Sequence, residues 1–140
     1  KDGEKQNVGS IRLTFFDIFS DKTKQFGFKA VFPSGKVLTC LGDEPFNEKC
    51  RNFVQNCDYL MCEAFCLYSQ KDIFKPYEKF HSTALDAGKL AESLFAKNLI
   101  LYHTEDETLQ TRKRTYTSEA RTVFNGNIFV PDDFEVIDLK

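Results

Sequence analysis

Tryptophan is absent, methionine occurs once, at Met61, and histidine occurs only twice, at His81 and His103. Each scarcity narrows the reading. Without tryptophan, the aromatic share of the core falls to fifteen phenylalanines and five tyrosines. With a lone methionine in mid-chain and Lys1 as the first residue, the chain is expected to be a piece of a longer protein. No apolar run approaches the roughly 18 residues of a membrane-spanning helix. The first residues also lack the charged-then-apolar pattern of a secretory signal. No membrane partner is therefore expected. Neither sign of charge dominates: the net charge is −2 over 140 residues. That excludes a nucleic-acid interface spread over the whole surface, though not a local basic patch. With 41% hydrophobic and 29% charged residues, the composition is that of one folded domain with a real core.

Cysteine is present in an odd number, at positions 40, 50, 57, 62 and 66. Several of the five sit in apolar patterns, so a reduced, cytoplasmic setting fits better than a disulfide scaffold. Cys62 and Cys66 have C-x3-C spacing, but no second Cys/His pair matches it. They read as buried small residues.

Residues 1–10 (KDGEKQNVGS) are polar and expected to fray. "IRLTFFDIFS" reads as a strand, and "FGFKAVFPSGKVLTCLGD" as two strands joined by a turn at Pro33-Ser34-Gly35. Pro45 suits a helix start, and Phe46, Cys50, Phe53, Val54 and Cys57 follow with helical spacing. "DYLMCEAFC" is a short buried strand. Ser82 or Thr83 can cap the clearest helix, with Asp86 three residues after Thr83. Its small-residue stripe of Ala84, Ala87, Gly88 and Ala91 suits close packing. "NLILYH" is a strand, "SEARTVF" marks a helix, and "IFV" and "FEVIDL" are expected as final strands. Strands first, then alternation of strand and helix, predict an α/β fold whose mixed sheet has parallel members.

Three of these strands end on groups that carry chemistry: Asp43, Glu63 and His103. Ligands gather beyond the carboxyl ends of parallel strands, and His81, just before the helix cap, reaches the same edge. Carboxylate and imidazole suit a divalent metal that activates water. On spacing alone the plainer readings stand equally: Asp43 as a turn residue or helix cap, Glu63 as a solvated strand end, His103 as a structural histidine. A catalytic zinc takes three protein ligands, more than this chain offers plausibly.

"LGDEP", "CEAF", "FHSTALDAGKLAE" and "NLILYHTED" occur in the order and spacing of the C-terminal half of metallo-β-lactamase-fold hydrolases. Over residues 11–140 the chain resembles their ribonuclease Z-like branch. Gly42-Asp43 is similar to that family's Gly-Asp motif, Cys62-Glu63-Ala64-Phe65 to its His-Glu-Ala-Thr, His81-Ser82-Thr83 to its His-Ser-Thr, and Tyr102-His103 to its Thr-His-type strand end. The resemblance implies the C-terminal αβ half of a four-layer αββα sandwich, with the N-terminal half absent from this chain. It implies one or two zinc ions, with manganese or iron as alternatives. Asp43 would bridge two ions and His103 would be the last ligand. His81 would contact substrate phosphate or donate a proton, and Glu63 would orient His81.

The family's His-x-His-x-Asp-His motif and its next single histidine ligand belong upstream of Lys1. Two departures, Cys62 in place of histidine and the loop "TEDETLQTRKR" after His103, point to an anionic ester or phosphodiester other than transfer RNA. The expected protein partner is the N-terminal half of the same fold. A catalytically incomplete module that binds no metal and dimerises through an uncovered sheet face is the alternative. A lesser one is nucleic-acid binding through Arg112, Lys113, Arg114 and Arg121.

Overall fold

The computed structural model describes residues 1–139; Lys140, the last residue of the expected half-domain, lies outside the described residues. Among the described residues, strands β1 (Glu4–Val8), β2 (Ile11–Asp17), β3 (Phe26–Val31), β4 (Val37–Cys40), β5 (Tyr59–Glu63), β6 (Asn98–Tyr102) and β7 (Asn127–Phe129) form one sheet in sequence order. β1 to β4 are antiparallel, and β4 to β7 are parallel. The expected mixed sheet is therefore present. Helices α1 (Arg51–Val54), α2 (Lys71–Phe74), α3 (Ala84–Ser93) and α4 (Leu109–Arg121) lie in the connections between the strands.

The antiparallel half follows from its turns. Gly35 takes a φ of 83°, a conformation costly for residues with a Cβ, and its N–H donates to Phe32 O at 2.9 Å. The parallel half needs helical crossovers. α3 starts where a capping box can form: Thr83 Oγ1 accepts from Asp86 N at 3.2 Å, and Asp86 Oδ2 accepts from Thr83 N at 3.1 Å. Thr83, rather than Ser82, is the cap.

Alternation along the strands divides the core. Leu60, Cys62, Leu99 and Leu101 join Phe16, Val54, Ala87, Ala91, Leu94, Tyr116, Ala120 and Phe124 in one cluster. Residues Leu38, Tyr59 and Ile100, which alternate with them, form a second. Phe28, Phe32, Met61 and Phe129 pack on that second cluster and are only partly buried.

Three expectations are corrected. Residues 1–10 do not fray: Glu4–Val8 pairs with β2 in register from Val8↔Ile11 to Glu4↔Phe15. Every residue of β1 is exposed, so backbone pairing rather than burial holds it. The helix expected from Pro45 shrinks to a 3-10 turn at Glu48–Cys50 and the single turn of α1. Asn47 accepts from Lys49 N and starts the turn late, while Gln55 leaves it in an extended conformation. "FEVIDL" forms no strand; Asp132 and Glu135 are tied to α4 instead, and Ile137 and Leu139 pack on the second cluster.

α3 and α4 approach so closely at Gly88 that a Cβ there would meet Ala120 O and Val123 Cγ2, each at 2.9 Å. Gly88→Val should therefore destabilise the protein by about 2 kcal/mol through overpacking. Urea unfolding checks this, and unchanged stability would refute the tight helix contact.

Candidate active site

Because β4, β5 and β6 run parallel, their carboxyl ends meet one edge. Pairing continues past the strands: Leu41 N donates to Met61 O and Ala64 N to Tyr102 O, each at 3.0 Å. Beyond β4 the chain turns at Gly42, with φ 81°. The Tyr102 hydroxyl donates to Gly42 O, and so ties the Gly42-Asp43 turn to the end of β6.

Glu63 ends β5 with its side chain only 1% exposed. Its Oε1 accepts from Ser82 N at 2.6 Å and also from Ser82 Oγ. Its Oε2 makes no hydrogen bond and faces His81 Nδ1 at 3.7 Å, which is likewise without one. The His81 ring stacks on Phe65, centroids 5.0 Å apart and planes 20° from parallel. Its other neighbour is the His103 ring, at 4.9 Å. His103 has φ 54°, an unfavourable conformation for a residue with a Cβ. Such strain costs of order 1–3 kcal/mol and gathers at functional sites.

Glu63, His81 and His103 thus come together as the strand ends suggested. Asp43 lies beside them: its charge opposes ionisation of Glu63 and favours the protonated form of His81. Among the described residues, no three His, Cys, Asp or Glu side chains are grouped to hold a metal ion. Asp43 and His103 carry donor groups of the kind a divalent metal takes, two where a catalytic zinc takes three.

Burial pushes the Glu63 carboxyl up to about 7, and the bonds from Ser82 restrain the rise. Burial also pushes the His81 imidazole down. Lys22 and the neighbouring His103 add to that shift, and Asp43 opposes it. His81 therefore favours its neutral form. Beside the pair lies a cavity of about 250 Å³ whose walls include Leu41, Phe46, Leu90 and Ser82.

Two residues escaped the sequence reading. Phe65 is the platform for His81 and also lies 6.4 Å from His103; its one signal was a phenylalanine where the motif has threonine. Tyr102 looked like the end of an apolar strand, with nothing to announce its hydroxyl bond. Three of the four residues of the basic segment have partners within the chain, and Arg114 is exposed. Arg112 and Lys113 pair with Asp132 at 3.0 and 2.9 Å, and Arg121 donates to Asn125 O and Gly126 O. The five cysteines are free. Cys62 and Cys66 are 4% and 0% exposed, and burial raises both thiols, Cys66 to about 12, so they stay protonated.

No protein-family model matches the chain. Over 98 residues it is 33% identical to ribonuclease Z of Bacillus cereus (strain AH187), covering 70% of this chain and 31% of that protein. Two solved structures share its architecture. The metallo-β-lactamase-fold protein YhfI from Bacillus subtilis superposes with a TM-score of 0.77 at 19% identity, over 94% of this chain and 51% of that one. Human tRNase Z, short form, gives 0.70 at 23% identity, over 96% and 46%. The chain spans about a third of the length of the curated relatives it matches and about half of these structures. It has the metallo-β-lactamase fold, of which it forms about half. Within that fold it is a ribonuclease Z-like protein.

The Glu63 carboxyl titrates near 7 in the fold against an ordinary 4.5. The folded state therefore holds this proton more tightly than the unfolded chain. That contribution is full below 4.5 and is lost as pH rises through 7. It amounts to about 3 kcal/mol. The lowered His81 acts in the opposite direction, its contribution growing as pH rises to its ordinary 6.5. With metal chelated, Glu63→Gln should match the parent at pH 5 and exceed its stability by about 2 kcal/mol at pH 8. Urea unfolding at both pH values tests this; equal stability at pH 8 would mean that Glu63 carries no such burden.

Proposed function

We propose that the chain is the C-terminal half of a metal-dependent hydrolase acting on an anionic ester, a phosphodiester first among them. The observation that carries this reading is the meeting of Glu63, His81 and His103 beside Asp43 at the carboxyl edge of β4–β6. A metal bound there, zinc or else manganese or iron, would supply charge neutralisation and Lewis-acid activation of water. Asp43 and His103 would hold one or two such ions together with ligands from outside this chain. His81, kept neutral by burial, contacts the substrate phosphate, takes up the proton that the attacking water releases and passes it to the leaving-group oxygen as its bond to phosphorus breaks. Glu63, anchored by Ser82, sets the orientation of the His81 ring from its Nδ1 side. Phosphodiester cleavage agrees with the ribonuclease Z relatives.

The partly buried aromatic face around Leu38, Tyr59 and Ile100 is the natural seat of the N-terminal half. Five free thiols agree with a cytoplasmic setting. The same face supports a second reading, a dimerising module without metal of its own.

In the full-length protein, Asp43→Ala and His103→Ala should each lower metal-dependent hydrolysis of bis(p-nitrophenyl) phosphate by more than about 100-fold, the upper cost for residues one step further from a metal. Circular dichroism should be unchanged. Full activity in both variants would remove the catalytic reading and leave the dimerising one.

A further inference from the structure

The loop that leaves His103 is held from behind by one guanidinium. Arg112, on α4, has a side chain only 12% exposed. Its Nη1 donates to Thr104 Oγ1 at 2.9 Å, and Thr104 is the residue next to His103. Its Nη2 donates to Asp132 Oδ1 at 3.0 Å and to Pro131 O at 3.3 Å. A guanidinium enclosed in this way is not presented to a nucleic-acid backbone, and nothing in the proposed chemistry uses it.

His103 itself needs restraint. At φ 54° its backbone relaxes unless its surroundings over-determine it. On one side β6 holds it through pairing with β5. On the other, Glu105 N donates to Phe65 O at 2.7 Å, and the Tyr116 hydroxyl reaches the same carbonyl at 3.0 Å. The Glu105 carboxylate turns inward to accept from Glu107 N at 2.5 Å and Thr108 N at 3.2 Å. Between these anchors the bond from Arg112 is the side-chain tether on Thr104. A loop fixed at both flanks has little freedom to swing the imidazole between them.

The geometry points to Arg112 as a positioning residue: through Thr104 it fixes the backbone of His103, and so the direction in which the His103 imidazole meets a metal. This rests on the reading of His103 as a ligand. Asp132, 58% exposed, steadies the guanidinium from the solvent side and is the less critical partner. A residue that orients a ligand in this way commonly governs affinity for the metal as much as turnover.

The test uses the full-length protein and three variants: Arg112→Met, Thr104→Val and Asp132→Asn. Zinc affinity is measured by chelator competition. Amide hydrogen exchange is measured on the metal-free protein. Arg112→Met and Thr104→Val should each weaken zinc binding by about 10- to 100-fold. Both should speed exchange at Thr104 and Glu105 while leaving Leu99–Leu101 unchanged. Asp132→Asn should do less of both. Thr104→Val decides the matter if Arg112→Met fails to fold, because it removes one hydroxyl only. If Thr104→Val retains parental zinc affinity and parental exchange, the inference is wrong. A His103→Ala control separates the two layers. Loss of zinc in His103→Ala with none in Thr104→Val would refute the role of Arg112 alone. Unchanged zinc binding in His103→Ala would refute the ligand reading beneath it.

Discussion

Parallel pairing of β4, β5 and β6 is the constraint on which the site depends. Each of these strands runs out at the same edge, so whatever residue follows its last paired position is delivered there. Asp43 arrives one turn past β4, Glu63 as the last residue of β5, and His103 one residue past β6. α3 brings the fourth group, because its capping box fixes Thr83 and hence His81 two residues before it. A one-residue slip in either pairing would send alternate side chains to the opposite face and dissolve both the core and the site.

The polar groups at that edge carry an electrostatic cost. Glu63 Oε2 and His81 Nδ1 face each other without a hydrogen bond at 3.7 Å, each shielded from water. Burial favours the neutral form of both, raising the carboxyl and lowering the imidazole. Ser82 offsets part of this on the other carboxylate oxygen. Buried polarity of this kind costs stability, and the proposed chemistry would make use of it. The left-handed backbone at His103 and the stacked Phe65 ring belong to the same arrangement.

Much of this was legible in the residues. Thr83, Asp86 and the alanine stripe announce α3, because capping and close packing are local demands. The strand ends were readable from apolar runs that stop at Asp, Glu and His. What escaped depends on contacts distant in sequence. β1 has no apolar face to announce it and exists by backbone pairing with β2. The alternation of "FEVIDL" suggested a strand, but ion pairs from Arg112 and Lys113 hold that segment to α4 instead. Those same pairs engage two of the four basic residues, Arg112 and Lys113, within the chain. The role of Phe65 needed the position of two rings from other segments, which no local pattern encodes.

The most direct test of the central claim is crystallographic: the full-length protein crystallised with zinc and measured at the zinc absorption edge. The account predicts an anomalous peak bonded to the carboxylate of Asp43 and the imidazole of His103, with the remaining ligands from outside residues 1–140. Zinc bound elsewhere, with neither residue in its coordination sphere, would contradict it.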